Sequence, residues 1–129
     1  MKRCLLDSSF LIDLLNEMAG ASRGPALAWL GRNPRTRLWI SPVSLAEVLE
    51  GADDPLAVKS YLARFQWQGI GHVHAEKVAH RQRNAPHRLG ENDAWQVAVA
   101  EAMDAVIVGH DPKAFQRGGM VYEDHRAGI

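Results

Sequence analysis

Four acidic residues, Asp7, Glu47, Asp93 and Asp111, each stand where one element ends or another begins. Asp7 stops a short apolar run at residues 4–6, and Asp111 follows a second run at 105–108. Glu47 falls in the first turn of a helix that Ser44 would open in the S-x-x-E pattern of a capping box. Asp93 takes the first helical position after Asn92, a good cap. In a parallel α/β sheet, strand ends and the starts of the following helices share one edge, so the four could converge. Two carboxylates about 4 Å apart repel by about 4 kcal/mol at an effective dielectric near 20, so such a cluster needs a cation. Oxygen-only ligation suits a hard ion that keeps several waters, Mg²⁺ or Mn²⁺. The matching chemistry is phosphodiester hydrolysis, with a metal that polarises the phosphoryl oxygen and activates water, and a carboxylate as general base.

Each acid also has a plain structural explanation. Glu47 completes a capping box, Asp93 suits the helix dipole, and Asp111 before Pro112 is ordinary turn chemistry. Only the four together carry the functional reading.

The elements that must position them alternate along the chain. A strand at residues 4–6 leads through Asp7 into a helix capped by Ser8 or Ser9, with Phe10, Leu11, Leu14, Leu15 and Met18 on one face. Pro25 opens a second helix, and residues 38–40 form a second strand stopped by Ser41-Pro42. The Ser44 helix ends at Gly51, and Asp54-Pro55 starts another with Val58, Tyr61, Leu62 and Phe65 inward. A brief third strand is expected at 69–73 and a helix from about Ala75 to Ala85-Pro86. The apolar helix after Asn92 is well buried, a fourth strand follows at 105–108, a helical turn lies around Ala114-Phe115, and a last strand at 120–122 precedes a frayed tail. Strict alternation argues for a parallel sheet covered by helices on both faces.

A chain of 129 residues, 47% apolar and 23% charged, has the size and make-up of one globular domain. Lys+Arg and Asp+Glu both number 15, so bulk charge neither announces nor excludes a nucleic-acid partner. The lone Cys4 lies in an apolar run and reads as a buried core residue of a reducing compartment. Asp7 and Asp13 interrupt the N-terminal apolar stretch, which argues against a signal peptide, and no segment has the length of a membrane span. A cytoplasmic domain is expected.

The strings LLDSSFLIDLL, SPVSLAEVLEG and ENDAWQVAVAEAMDAVIVGHDPKAF resemble the PIN domain, most closely the small VapC-type toxin ribonucleases. The resemblance runs over residues 4–122. It implies a three-layer α/β/α sandwich around a short parallel sheet and one PIN-like domain over residues 1–129. It also implies a Mg²⁺- or Mn²⁺-dependent endoribonuclease, usually a homodimer, paired with a small antitoxin whose tail blocks the site, often with a basic side chain among the acids. Carried across, Asp7, Glu47, Asp93 and Asp111 fall on the family's four acidic positions, as catalytic and metal-binding residues. Ser8 falls where a hydroxyl residue commonly follows the first acid and supports it by hydrogen bonding. One departure is Gly109, two residues before the fourth acid, where the family commonly has Thr or Ser. His110 could stand in as a donor. Of the spare acids Glu50, Asp104, Glu123 and Asp124, expected on solvated faces, Asp124 is the one expected nearest the site.

His80, Arg81, Arg83, His87 and Arg88 form the densest basic stretch, and Arg81, Arg83 and Arg88 are candidates for an RNA-backbone rim; a solvated helix face explains them equally well. Arg32, Arg35 and Arg37 read as surface. The histidines lack zinc spacing, and His72 and His74 read as strand-end residues. Trp29, Trp39, Trp67 and Trp95 fit a core or a dimer seam. Aspartate-nucleophile phosphatases need a second Asp where this chain has Ser9, and a receiver domain would want paired early acids and a late Lys. The remaining alternatives are an inactive PIN-like binding module, which Gly109 favours, and an RNA-processing PIN nuclease without an antitoxin.

Overall fold

The computed structural model describes residues 2–111 and 122–127. Its elements run β1 (Arg3–Leu6), α1 (Ser8–Ala19), α2 (Pro25–Arg32), β2 (Arg37–Ile40), α3 (Pro42–Glu50), α4 (Pro55–Leu62), β3 (Gln66–Trp67), α5 (His72–Asn84), α6 (Glu91–Ala102), β4 (Val106–Gly109) and β5 (Tyr122–Asp124). The five strands form one sheet in the order β3-β2-β1-β4-β5, with every neighbouring pair parallel.

Because strand side chains alternate across the sheet, consecutive residues feed two separate cores. Leu5 and Ile107 pack with Val78, Leu89 and the apolar face of α6. Cys4, Leu6, Ile40 and Val108 pack on the opposite face with Phe10, Leu14 and Trp29 of α1 and α2. These are the three layers expected. Cys4 is fully buried as predicted, and burial pushes its thiol above the ordinary value. Among the described residues, no helix is long and apolar enough to cross a membrane.

Several local expectations change. Met18 is 48% exposed, so the inward stripe of α1 is Phe10, Leu11 and Leu14. The buried carboxylate of Glu17 accepts from the amides of Gly24, Ala26 and Leu27, satisfying the donors that open α2. Ser41, not Ser44, caps α3, with Pro42 as the first helical residue. The expected strand at 69–73 is replaced by an earlier two-residue strand, β3. Gly71 then caps α5, so His72 and His74 are helical, and the Gly71 amide donates to His74 Nδ1 at 2.9 Å. Gly90 rather than Asn92 caps α6, which moves Asp93 to its third position. Trp29 is core, whereas Trp67 is 42% exposed on edge strand β3.

Among the described residues the last strand is β5, and residues 125–127, expected in a frayed tail, are held. Fully buried His125 donates from Nε2 to Asp13 Oδ2 at 2.7 Å, and Arg126 grips both oxygens of Asp13. The helical turn expected around Ala114 lies outside the described residues.

Candidate active site

The chain passes from β1 outward to β2 and β3, then returns to add β4 and β5 on the other side of β1. The order therefore reverses between β1 and β4, and the crevice outside the carboxyl ends of such a strand pair is where open α/β sheets bind ligands. Asp7 leaves the end of β1 there, its amide donating to Val108 O of β4 at 2.8 Å, and Asp111 follows the end of β4. Glu47 comes in from α3, and Asp93 from the first turn of α6.

The four carboxylates feel one another. Asp7 is 6% exposed, and burial is the main force raising its pKa, opposed by the Ser9 hydroxyl and the nearby amides of Ser8 and Ser9; Asp111's charge raises it further. Burial raises Glu47 as well, and the charges of Asp7 and Asp111 add to the rise, while the side chains of Asn92 and Ser8 hydrogen-bond to it and oppose it. Asp93 moves furthest, pushed up to about 6 by burial and then by Asp111, Asp7 and Glu47. Like charges gathered at one crevice in this way form a site with stored repulsion.

The Ser8 side chain thus hydrogen-bonds Glu47, and only its backbone amide reaches Asp7. The hydroxyl on Asp7 is that of Ser9, expected from the sequence as a candidate helix cap; the cap of α1 is Asp7 itself. Ser9 Oγ donates to Asp7 Oδ2 at 2.9 Å and accepts from the His110 amide at 2.8 Å. A Cβ on Gly109 would lie 2.7 Å from Ser9 Oγ and 2.8 Å from Asp7 Cβ, so glycine is needed for this approach. The hydroxyl absent from position 109 is supplied by its neighbour in space. His110 turns its Nδ1 to Asp124, 3.0 Å from Oδ1. Asp124 is therefore beside the site but already partnered. Glu123 remains partly exposed and accepts from Lys2 at 2.9 Å and also from Trp29 Nε1. Tyr122 completes the rim, its hydroxyl accepting from the Asp111 amide at 2.8 Å; burial is the main reason its phenol is pushed up to about 12.

The candidate basic rim is divided. Arg81 pairs with Glu101, eight residues beyond Asp93, or about 12 Å along α6 at the helical rise. Arg83 is exposed near the end of α5. Arg88, exposed and paired with Glu91 at 3.2 Å, is the one that stands next to the start of α6.

The sequence matches the PIN domain over residues 4–119. The chain belongs to the PIN domain family. No curated protein matches it. Among solved structures, it is similar to a toxin–antitoxin complex from Klebsiella pneumoniae, at 23% identity over 95% of this chain and 97% of that one, with a TM-score of 0.77. A DNA-bound VapBC from Salmonella typhimurium gives 19% identity, 97% and 99% coverage, and a TM-score of 0.75. The Mycobacterium tuberculosis toxin VapC20, described as cleaving the sarcin–ricin loop, gives 18% identity, 92% and 96% coverage, and a TM-score of 0.69. At these identities the likeness is one of fold.

Among the described residues, no three acidic, His or Cys side chains meet closely enough to hold one ion directly. The donor set nevertheless fits a particular kind of ion. It is all carboxylate and neutral oxygen, with no thiolate or imidazole turned into it, which is the preference of a hard cation that keeps most of its waters and takes one or two carboxylates. This PIN domain also has what such an ion would relieve, the mutual repulsion of Asp7, Glu47 and Asp93.

Proposed function

We propose that the chain is a divalent-metal-dependent endoribonuclease and the toxin of a toxin–antitoxin pair, with Mg²⁺ or Mn²⁺ held by Asp7, Glu47, Asp93 and Asp111. The observation that carries this reading is the cluster of acids at the β1–β4 reversal point, three of them raised by burial and like charge. The ion, when bound, neutralises phosphate charge and makes water a better nucleophile. Asp93, the acid that burial and its neighbours' charges make most basic, is assigned to take the proton from the attacking water, as water adds to phosphorus and the bond to the leaving sugar oxygen breaks, that oxygen taking a proton from solvent. Asp7 is held by Ser9, and Ser8 and Asn92 hold Glu47, so the acids are set before substrate arrives. Arg88 is the cation placed to meet the RNA backbone.

The antitoxin reading is supported by a groove of about 470 Å³ between α1, α3 and α4. Its walls include Ile12, Leu15, Val48 and Tyr61, and its acidic members include Glu47 and Asp54. An antitoxin segment with an apolar face and one basic side chain fits that combination, and the basic group would reach the acids through Glu47. We take the working unit to be a cytoplasmic homodimer, as the family resemblance implies.

The test is cleavage of a mixed panel of tRNA, rRNA and mRNA by purified protein stripped of co-purifying partners. Cleavage with Mg²⁺ or Mn²⁺ that EDTA abolishes is expected. Absence of both cleavage and Mn²⁺ binding would favour the second reading, a PIN-like binding module, whose only supporting feature is Gly109. Co-expression with the product of a short adjacent reading frame should silence the enzyme, and Ile12→Asp should undo the silencing.

A further inference from the structure

Gln96 is a polar residue in the largely buried helix α6, 1% exposed and hydrogen-bonded at both its side-chain oxygen and its side-chain nitrogen. Its Oε1 accepts from Ser41 Oγ, and its Nε2 donates to Ser44 Oγ at 2.7 Å. Ser44 Oγ in turn donates to the carbonyl of Leu6 at 2.9 Å, and the Ser44 amide donates to Ser41 Oγ at 3.5 Å. Ser41 and Ser44 are both 0% exposed. The chain of bonds therefore runs from α6 through the start of α3 to the end of β1 without meeting water.

Each end of this chain lies next to a site acid. Gln96 is one helical turn after Asp93, Ser44 is one turn before Glu47, and Leu6 directly precedes Asp7. Side chains three apart on a helix share a face, so the brace sits under the carboxylates on the elements that carry them. Resting on the acid-site reading above, we propose that Gln96 is a positioning residue: with Ser44 it fixes the spacing of Asp7, Glu47 and Asp93. The physical need is plain. Three carboxylates that repel one another push their elements apart, and apolar packing is non-directional, so it resists such a slide poorly. Directional bonds in a dry interior resist it well, provided every member is satisfied, as here. A leucine of similar size at position 96 would fill the space but let α6 shift against α3 and β1.

The test compares Gln96→Leu with wild type by crystal structure and by Mn²⁺ titration calorimetry. The expected result is a folded protein in which the Asp93 carboxylate moves by about 1 Å relative to Asp7 and Glu47, enough for a 10²-fold loss where geometry is critical. Mn²⁺ affinity should fall at least about tenfold, and kcat for RNA should fall with KM little changed. Should Gln96→Leu fail to fold, Ser44→Ala, which keeps the volume of Gln96, is read the same way. An unchanged spacing of the three acids overturns the proposal. If wild type neither binds Mn²⁺ nor cuts RNA, the nuclease reading fails, and the crystallographic spacing still decides the brace.

Discussion

Two groups of acids in this protein differ in what stands beside them. Asp7, Glu47 and Asp93 stand at the β1–β4 crevice, and all three are raised, first by burial and further by neighbouring acids, Asp111 acting on every one of them. Asp13, Glu123 and Asp124 meet around α1 and β5, and all three are lowered. The Arg126 hydrogen bonds lead for Asp13, while for Glu123 and Asp124 burial pushes up but is outweighed by Lys2 and Trp29, or by the Arg126 amide and His110. The second group is given a basic or hydrogen-bonding partner for every carboxylate and stabilises the fold. The first has no basic partner among the described residues and keeps its repulsion, which the proposed metal ion would relieve. Acids of one chemical type thus separate into structural and functional sets by their neighbours alone.

The contrast is broken most severely at the first group. Asp7→Asn and Asp93→Asn should each reduce RNA cleavage by about 100-fold or more, while the metal-free proteins melt at or above the wild-type temperature because a repulsion has been removed. Melting curves beside cleavage rates check both signs. Gly109→Ala comes next: its methyl collides with Ser9 Oγ and Asp7, which should cost about 1–3 kcal/mol in denaturant unfolding and lower cleavage by about 10–100-fold. Ser9→Ala on that background should recover part of the stability. At the second group, Asp13→Ala leaves buried His125 unpartnered and should cost about 1–3 kcal/mol, with cleavage within about threefold of wild type once folding is corrected for.

The smallest effect sharpens the comparison by pH. Asp93 titrates near 6 when folded and at the ordinary carboxylate value when unfolded, so the folded chain binds more protons between the two. Its contribution makes the metal-free protein more stable as pH falls through about 6. Asp13, Glu123 and Asp124 have the opposite sign: their stabilisation is present above the ordinary carboxylate value and is lost as pH falls through their lowered values. The melting temperature without metal should peak on the acid side of neutrality, and Asp93→Asn should flatten the rise toward that peak.

Much of this was legible in the sequence because the signals were local. An apolar run cut by Asp7 and followed by a helical period fixes β1, α1 and the place of the first acid. Alternation of strands and helices fixes the parallel sheet, hence the shared edge. What was missed depends on partners far along the chain. The Ser44-x-x-Glu47 pattern looks like a capping box, yet Ser44 is drawn away to Leu6 and Glu47 is left for the site. Gln96 in an alanine-rich helix looks solvent-facing until Ser41 and Ser44 are brought against it. Strand β3 has two exposed residues and no alternation to read. The polar residues after Tyr122 look frayed because their partners, Asp13 and Lys2, lie more than a hundred positions earlier.

The sheet's order also sets a timetable. β1 is made first, yet one of its two neighbours, β4, pairs Leu5 with Ile107 about a hundred residues later. Such distant pairing forms only after a large loop has closed. At a synthesis rate of about 5–20 residues per second, the growing chain carries Asp7 for roughly 5–20 s before Asp111 exists to stand beside it. Throughout that interval the carboxylates are separate, ordinary acids, and the crevice has one wall. The charged edge is a property only of a chain that has grown past residue 111.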